Sequence, residues 1–179
     1  DPLVGIKAPS QEEIAAAFSE GGLVGGLYQQ FERRDEQCQM SCAVGKAFEQ
    51  SENLVVEAGT GVGKSMAYLL PAALLAKKNN ITVGVATKTN ALLDQLIYHE
   101  LPLLDKALGG LTYTALKGFS HYPCLRKIEH FVAEHQFDRM LGDKQTTCAV
   151  AAAALLSFIE QSEYSDIDTL KIDYRLLPR

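Results

Sequence analysis

No stretch of this chain approaches the length of a membrane span, and no basic-then-apolar leader stands near its start. A spanning helix needs about 20 consecutive apolar residues, so no membrane partner is expected and a cytoplasmic location is. Net positive charge is missing too. Seventeen Lys and Arg stand against 22 Asp and Glu, a formal charge of −5. That removes any global pull toward nucleic acid, and such binding would need a local basic patch. None of the four cysteines, Cys38, Cys42, Cys124 and Cys148, lies in a CxxC pair. Without a leader the chain points to a reducing compartment, so free thiols are expected. Cys38 and Cys42, four apart on one helix face, read as small buried thiols rather than metal ligands.

One further absence is chemical. A nucleotide hydrolase of the phosphate-loop type needs an acid at a neighbouring strand end, after a short apolar run, to hold Mg²⁺. No such run follows Ser65. The nearest, Leu170-Lys-Ile-Asp173, is broken by Lys171.

What is present is concentrated in Asn53-Leu-Val-Val-Glu-Ala-Gly-Thr-Gly-Val-Gly-Lys64-Ser65. An apolar run precedes a turn with Gly59, Gly61 and Gly63, and Lys64-Ser65 opens a helical pattern. This is the order of a phosphate-binding loop, or Walker A motif, with Ala58 at its first position in place of glycine. Glycines reach backbone angles other residues avoid and let main-chain N–H groups approach a phosphate. The following helix presents its positive end. A nucleotide's polyphosphate is therefore expected on Ala58, Gly59, Thr60, Gly61, Val62, Gly63, Lys64 and Ser65. Lys64 would reach the β- and γ-phosphates, and the Ser65 hydroxyl would hold Mg²⁺.

With 47% hydrophobic and 22% charged residues in 179, the chain has the profile of a globular protein able to bury a core. Ser10 with Glu13 forms a capping box opening a short helix, which Gly21-Gly22 should stop. This N-terminal arm lies off the core unless Leu23, Val24 and Leu27 dock. Met40, Val44, Ala47 and Phe48 recur at helical spacing over residues 36–50. A second helix spans 63–78, with Pro71 bending or relaxing one turn. A third spans 91–104, with Asn90 as its N-cap. Residues 54–56, 81–86 and 111–116 read as strands, and 124–137 and 146–163 as helices. Residues 165–179 carry no strong period. Strands alternating with helices, then helices alone, predict an α/β fold: a parallel sheet flanked by helices, with a partial helical insertion at the C-terminal end. Three loops, 58–65, 87–90 and 117–124, would then lie at strand C-terminal ends, where ligands bind. Thr87, Lys88, Thr89 and Asn90 offer hydroxyls, an ammonium and a carboxamide suited to phosphate contacts.

These residues together resemble the start of a DinG-type helicase, a bacterial relative of XPD within superfamily 2. Residues 56–72 are similar to that family's motif I and the helix after it. Arg34-Asp-Glu-Gln37 with Met40 resembles its RxxQxxM segment, which implies that Gln37, beside Arg34, reads the adenine edge; a carboxamide can donate to and accept from one base edge. Residues 87–96 resemble motif Ia, which implies that Thr87, Lys88, Thr89 and Asn90 follow a single-stranded DNA backbone. Ala58 fits the helicase form of the loop. Lys117-Gly-Phe-Ser-His-Tyr-Pro-Cys124 resembles a KGRxNYxC segment, with Phe119 and His121 departing from its arginine and asparagine.

The resemblance implies that Cys124 is the first ligand of a four-cysteine [4Fe–4S] cluster in a longer protein. With Cys148 alone downstream, no intact cluster is expected in this chain. It implies a P-loop, RecA-like organisation: an N-terminal arm over 1–30, part of a first motor domain over 31–122, and the start of a cluster insertion over 123–179. The implied activity is that of an ATP-dependent DNA helicase, 5′→3′ and in DNA repair, for which this piece alone would not suffice. No oligomeric state is assigned. Two rivals stand beside it: a P-loop kinase or nucleotide switch not acting on DNA, and a nucleic-acid-binding module with a decayed nucleotide site.

Overall fold

In a computed structural model of the chain, residues 5–27, 32–134, 143–163 and 165–170 are described, Glu134 and residues 143–149 by backbone alone. The helical reading of 135–137, the side chain of Cys148 and residues 171–179 lie outside them. The helices are α1 Gln11–Ala17, α2 Asp35–Gln50, α3 Lys64–Asn79, α4 Asn90–Gln95, α5 Leu101–Leu108, α6 Leu125–Glu134 and α7 Asp143–Gln161. A π-helical turn, Leu96–Glu100, joins α4 to α5. The chain divides into two compact units, Asp1–Tyr113 and Thr114–Arg179.

The expected parallel sheet is overturned: among the described residues there is no β-strand. Residues 52–59, 81–87 and 110–118 run without regular structure and without ladder partners. A strand exists only by pairing, and a parallel sheet must be covered on both faces. These segments meet neither condition. Val55 is 97% exposed, and Leu54, Val56, Ile81 and Val85 are exposed as well. The apolar runs that suggested strands therefore carry local preference but no partner.

The core of the first unit is built by helices instead. Ile14, Phe18 and Val24 pack with Cys38, Met66, Leu69, Leu70, Leu74, Leu96 and Leu104. The N-terminal arm thus docks, since Ile14, Phe18 and Val24 are almost wholly buried. Burying a side chain such as Phe18 stabilises by about 1.5–3 kcal/mol. Ser10 caps α1 as its sequence indicates, its hydroxyl accepting from the Glu13 N–H while Glu13 accepts from the Ser10 N–H. Close approach of α1 to α2 depends on Gly45, where a Cβ would stand 2.3 Å from Ile14 Cδ1. Asn79 pairs its amide with both main-chain groups of Lys7, at 2.7 and 2.9 Å, so the N-terminal segment is fastened to the end of α3.

Pro71 sits buried inside α3 without ending it. The lost N–H donor is tolerated because the helix is clamped by apolar contacts along its length. The N-cap of the next helix is Thr89, not Asn90. Its hydroxyl accepts from the Leu92 N–H at 3.3 Å while Asn90 is already helical. Threonine with extended φ and ψ is among the side chains that cap a helix in this way.

Candidate nucleotide site

Gly61 and Gly63 both adopt left-handed backbone, with φ of 84° and 82°. A side chain at either position would be strained, so these two glycines turn the chain into α3. Gly59 has no such requirement. Gly63 is the N-cap of α3, and Lys64 and Ser65 are its first two residues.

The start of α2 grips this loop. Gln37 Nε2 donates to the Gly63 carbonyl at 2.9 Å, and an Arg34 guanidinium N–H donates to the Gly61 carbonyl. Gln37 is buried, at 8% exposure, so its carboxamide must be paired. Lys64 Nζ donates to the Ala58 carbonyl at 3.0 Å and to that of Gly59. The lysine thereby ties the two ends of the turn together. A phosphate that took this ammonium would replace carbonyl acceptors with a charged one, a stronger hydrogen bond.

A cavity of about 320 Å³ opens beside the loop, lined by Gln37, Gly61, Gly63, Lys64, Ser65, Met66, Gln95 and Glu100. Of the residues singled out from sequence, it brings together Gln37, Gly61, Gly63, Lys64 and Ser65. Arg34 reaches the loop from outside, while Ala58, Gly59, Thr60 and Val62 complete the turn without lining the cavity. Thr87, Lys88, Thr89 and Asn90 do not line it either. Thr87 donates its hydroxyl to the Thr89 carbonyl at 3.1 Å, and Lys88, Thr89 and Asn90 are exposed.

Gln95 and Glu100 were not legible in the sequence. They are five residues apart, which on an α-helix places them roughly 140° from one another. The π turn widens the helix and brings them to one side, where Gln95 Nε2 donates to Glu100 Oε1 at 3.3 Å. A helical pattern over 91–104 gave no sign of that wider turn.

The loop at 117–124 belongs to the second unit and has a different character. Lys117 is buried, its ammonium paired with Asp166 and, at 3.2 Å, with Asp168. His121 Nδ1 lies 2.9 Å from the same Asp168 oxygen, and the Tyr122 hydroxyl accepts from the Lys117 N–H at 2.8 Å. Burial opposes charge on Asp168, but the hydrogen bonds and charges of Lys117 and His121 prevail and hold its carboxyl below the ordinary value of 3.8. His121, Asp166 and Asp168 place one ligand atom each within 4.8 Å, and the Lys117 ammonium is paired with both carboxylates.

Cys38 is buried, Cys42 half-buried, and both are free, as is the exposed Cys124. Burial first, then the neighbouring Cys38, pushes the Cys42 thiol up. A [4Fe–4S] cluster takes four thiolates. Among the described residues three cysteine side chains are placed, Cys38, Cys42 and Cys124, fewer than the four a cluster takes.

A glycine loop closed by lysine and serine at a helix start, gripped by a glutamine from the preceding helix, has the form found in nucleotide-dependent helicases. The comparisons with known proteins agree. Over 135 residues the chain is 40% identical to the ATP-dependent DNA helicase YoaA of Haemophilus influenzae, 75% of this chain and 20% of that protein. It is 41% identical over 128 residues to the ATP-dependent helicase DinG of Mycobacterium tuberculosis, 69% of this chain and 19% of the relative. It is 33% identical over 143 residues to the 3′-5′ exonuclease DinG of Bacillus subtilis, 79% and 15% of the two chains. No family model matches. The chain belongs to the DinG-like helicase family, and it spans between 15% and 20% of the length of these relatives. Among the described residues no helix is long and apolar enough to cross a membrane.

Proposed function

We propose that this chain is the nucleotide-binding part of a longer ATP-dependent DNA helicase, and that it holds Mg²⁺·ATP on residues 58–65. The observation that carries this reading is the placement of Lys64 and Ser65 at the head of α3, on the wall of a cavity shared with Gly61, Gly63 and Gln37. Lys64 supplies the charge for the β- and γ-phosphates, and free N–H groups at the head of α3 supply further donors. The donor set suits the metal: Mg²⁺ prefers hard oxygen ligands, and the cavity offers the Ser65 hydroxyl and the Glu100 carboxylate.

Gln37 has a narrower base-reading role than a free carboxamide would. One N–H of its Nε2 is taken by the Gly63 carbonyl, which leaves the second N–H and Oε1 for an adenine edge. The same residue then couples base recognition to the position of the phosphate loop.

Thr87, Lys88, Thr89 and Asn90 are assigned to single-stranded DNA, supported by the exposure of Lys88, Thr89 and Asn90 and by the names of the relatives. Hydrolysis and strand separation belong to the longer protein, because a P-loop motor completes its site with an acid and a trans arginine. Cytoplasmic location and a role in repair follow from the same assignment.

Titration with a fluorescent ATP analogue tests the assignment. The chain should bind it in the presence of Mg²⁺, and Lys64→Ala should abolish binding. Equal affinity in the variant would remove the loop from the site. In the longer protein single-stranded DNA should stimulate hydrolysis; indifference to DNA would favour a kinase or switch.

A further inference from the structure

The cavity beside the phosphate loop contains one carboxylate, Glu100, which no pattern in the sequence associates with the loop. Three observations converge on it. It shares the cavity wall with Lys64 and Ser65. Its Oε1 is held by Gln95 Nε2 at 3.3 Å, and Gln95 lines the same cavity. Both are placed by a π-helical turn, whose wider i→i+5 bond runs from the Leu101 N–H to the Leu96 carbonyl. Single π turns inside helices are costly and cluster at functional sites. Within the turn Leu96 and Ile97 are buried and belong to the packed part of the first unit.

A carboxylate is the wrong charge for a bare triphosphate and the right one for its magnesium. Beside uncomplexed ATP it repels the phosphates; beside Mg²⁺ it accepts from the waters that this ion keeps. We infer that Glu100, oriented by Gln95, is a magnesium-facing carboxylate that makes nucleotide binding depend on the metal, a role additional to those of Lys64 and Ser65. The inference rests on the nucleotide reading above. It adds to, and does not replace, the acid with which a P-loop motor completes its magnesium site. Glu100 positions and discriminates.

The test is binding rather than turnover. Affinity for a fluorescent ATP analogue is measured with Mg²⁺ and with EDTA, for the unaltered chain, Glu100→Gln, Glu100→Asp and Gln95→Ala. The unaltered chain should bind more tightly with Mg²⁺. Glu100→Gln should shrink the ratio of the two affinities by about fivefold or more, in part by tightening metal-free binding as the repulsion is lost. Glu100→Asp should retain most of the ratio, and Gln95→Ala should fall between. An unchanged ratio in Glu100→Gln, or an equal loss of affinity with and without the metal, would overturn the role while leaving the nucleotide site intact. Absence of binding by the unaltered chain would instead overturn the nucleotide reading, and this inference with it.

Discussion

Gln37 and Gly63 are fitted to one another in two ways. Gln37 Nε2 donates to the Gly63 carbonyl at 2.9 Å, and a Cβ on residue 63 would stand 2.2 Å from that same nitrogen. The glycine is needed for its left-handed φ of 82° and for the room it leaves. The contact fastens the first turn of α2 to the head of α3, where Lys64 and Ser65 begin. Any ligand that moves the loop must also move Gln37.

Gln37→Ala should therefore weaken nucleotide binding even where the base makes no contact. The loss of one hydrogen bond, about 1 kcal/mol, corresponds to roughly fivefold in affinity. Hydrogen exchange at residues 61–65 should rise in the free variant. Unaltered exchange and affinity together would show that the clasp does not hold the loop.

Gly45→Ala places a methyl 2.3 Å from Ile14 Cδ1, in a site where Ile14 has no exposed surface. Overpacking of this kind costs about 1–3 kcal/mol. The expected outcome is a lower melting temperature, with α1 released from α2 first. Gly59→Ala, which meets nothing within 4 Å, is the matched control and should leave stability unchanged.

Ser41→Ala should act in the opposite sense. The Ser41 hydroxyl is fully buried in α2 with no hydrogen-bond partner among the described residues. Leaving such a group unpaired costs about 1–3 kcal/mol, and alanine also suits a helix better. A melting temperature raised by a few degrees is expected; a decrease would mean that the hydroxyl is satisfied.

The ion pairs of the second unit set its response to acid. Asp168 titrates below its ordinary 3.8 when folded, so the unfolded chain takes up the proton first as pH falls. The resulting stabilisation is complete above that value and is lost as pH drops through the lower folded one. Asp168 is 43% exposed, so solvent keeps the effect small. Unfolding of this unit, followed by circular dichroism between pH 5 and pH 2 (a span of about three units centred on the carboxylate range), should show a shallower acid limb in Asp168→Asn. Identical limbs would detach Asp168 from the network.

Much of the site could be read along the chain because its parts are contiguous. Residues 58–65 carry their chemistry in order, and the helix after them follows from periodic Met66, Leu69, Leu70 and Leu74. The capping box at Ser10 and the free cysteines Cys38, Cys42 and Cys124 were equally local. Lys117 was visible as a residue but not as a buried cation, since its partners lie 49 and 51 positions away. Gln95 and Glu100 were visible only as helix surface.

The sequence by itself determined the loop, its lysine and serine, and the family to which they belong, because glycine conformation and helix polarity are properties of consecutive residues. Tertiary structure decided the rest. The three apolar runs at 54–56, 81–86 and 111–116 have the composition of strands but no pairing, and strand formation depends on hydrogen bonds to another segment. The core fell to helices, with Phe18 and Val24 of the supposed arm among its members. A single π turn placed Glu100 on the wall of the cavity that Ser65 also lines, and that depends on how α4 and α5 pack, which consecutive residues do not encode.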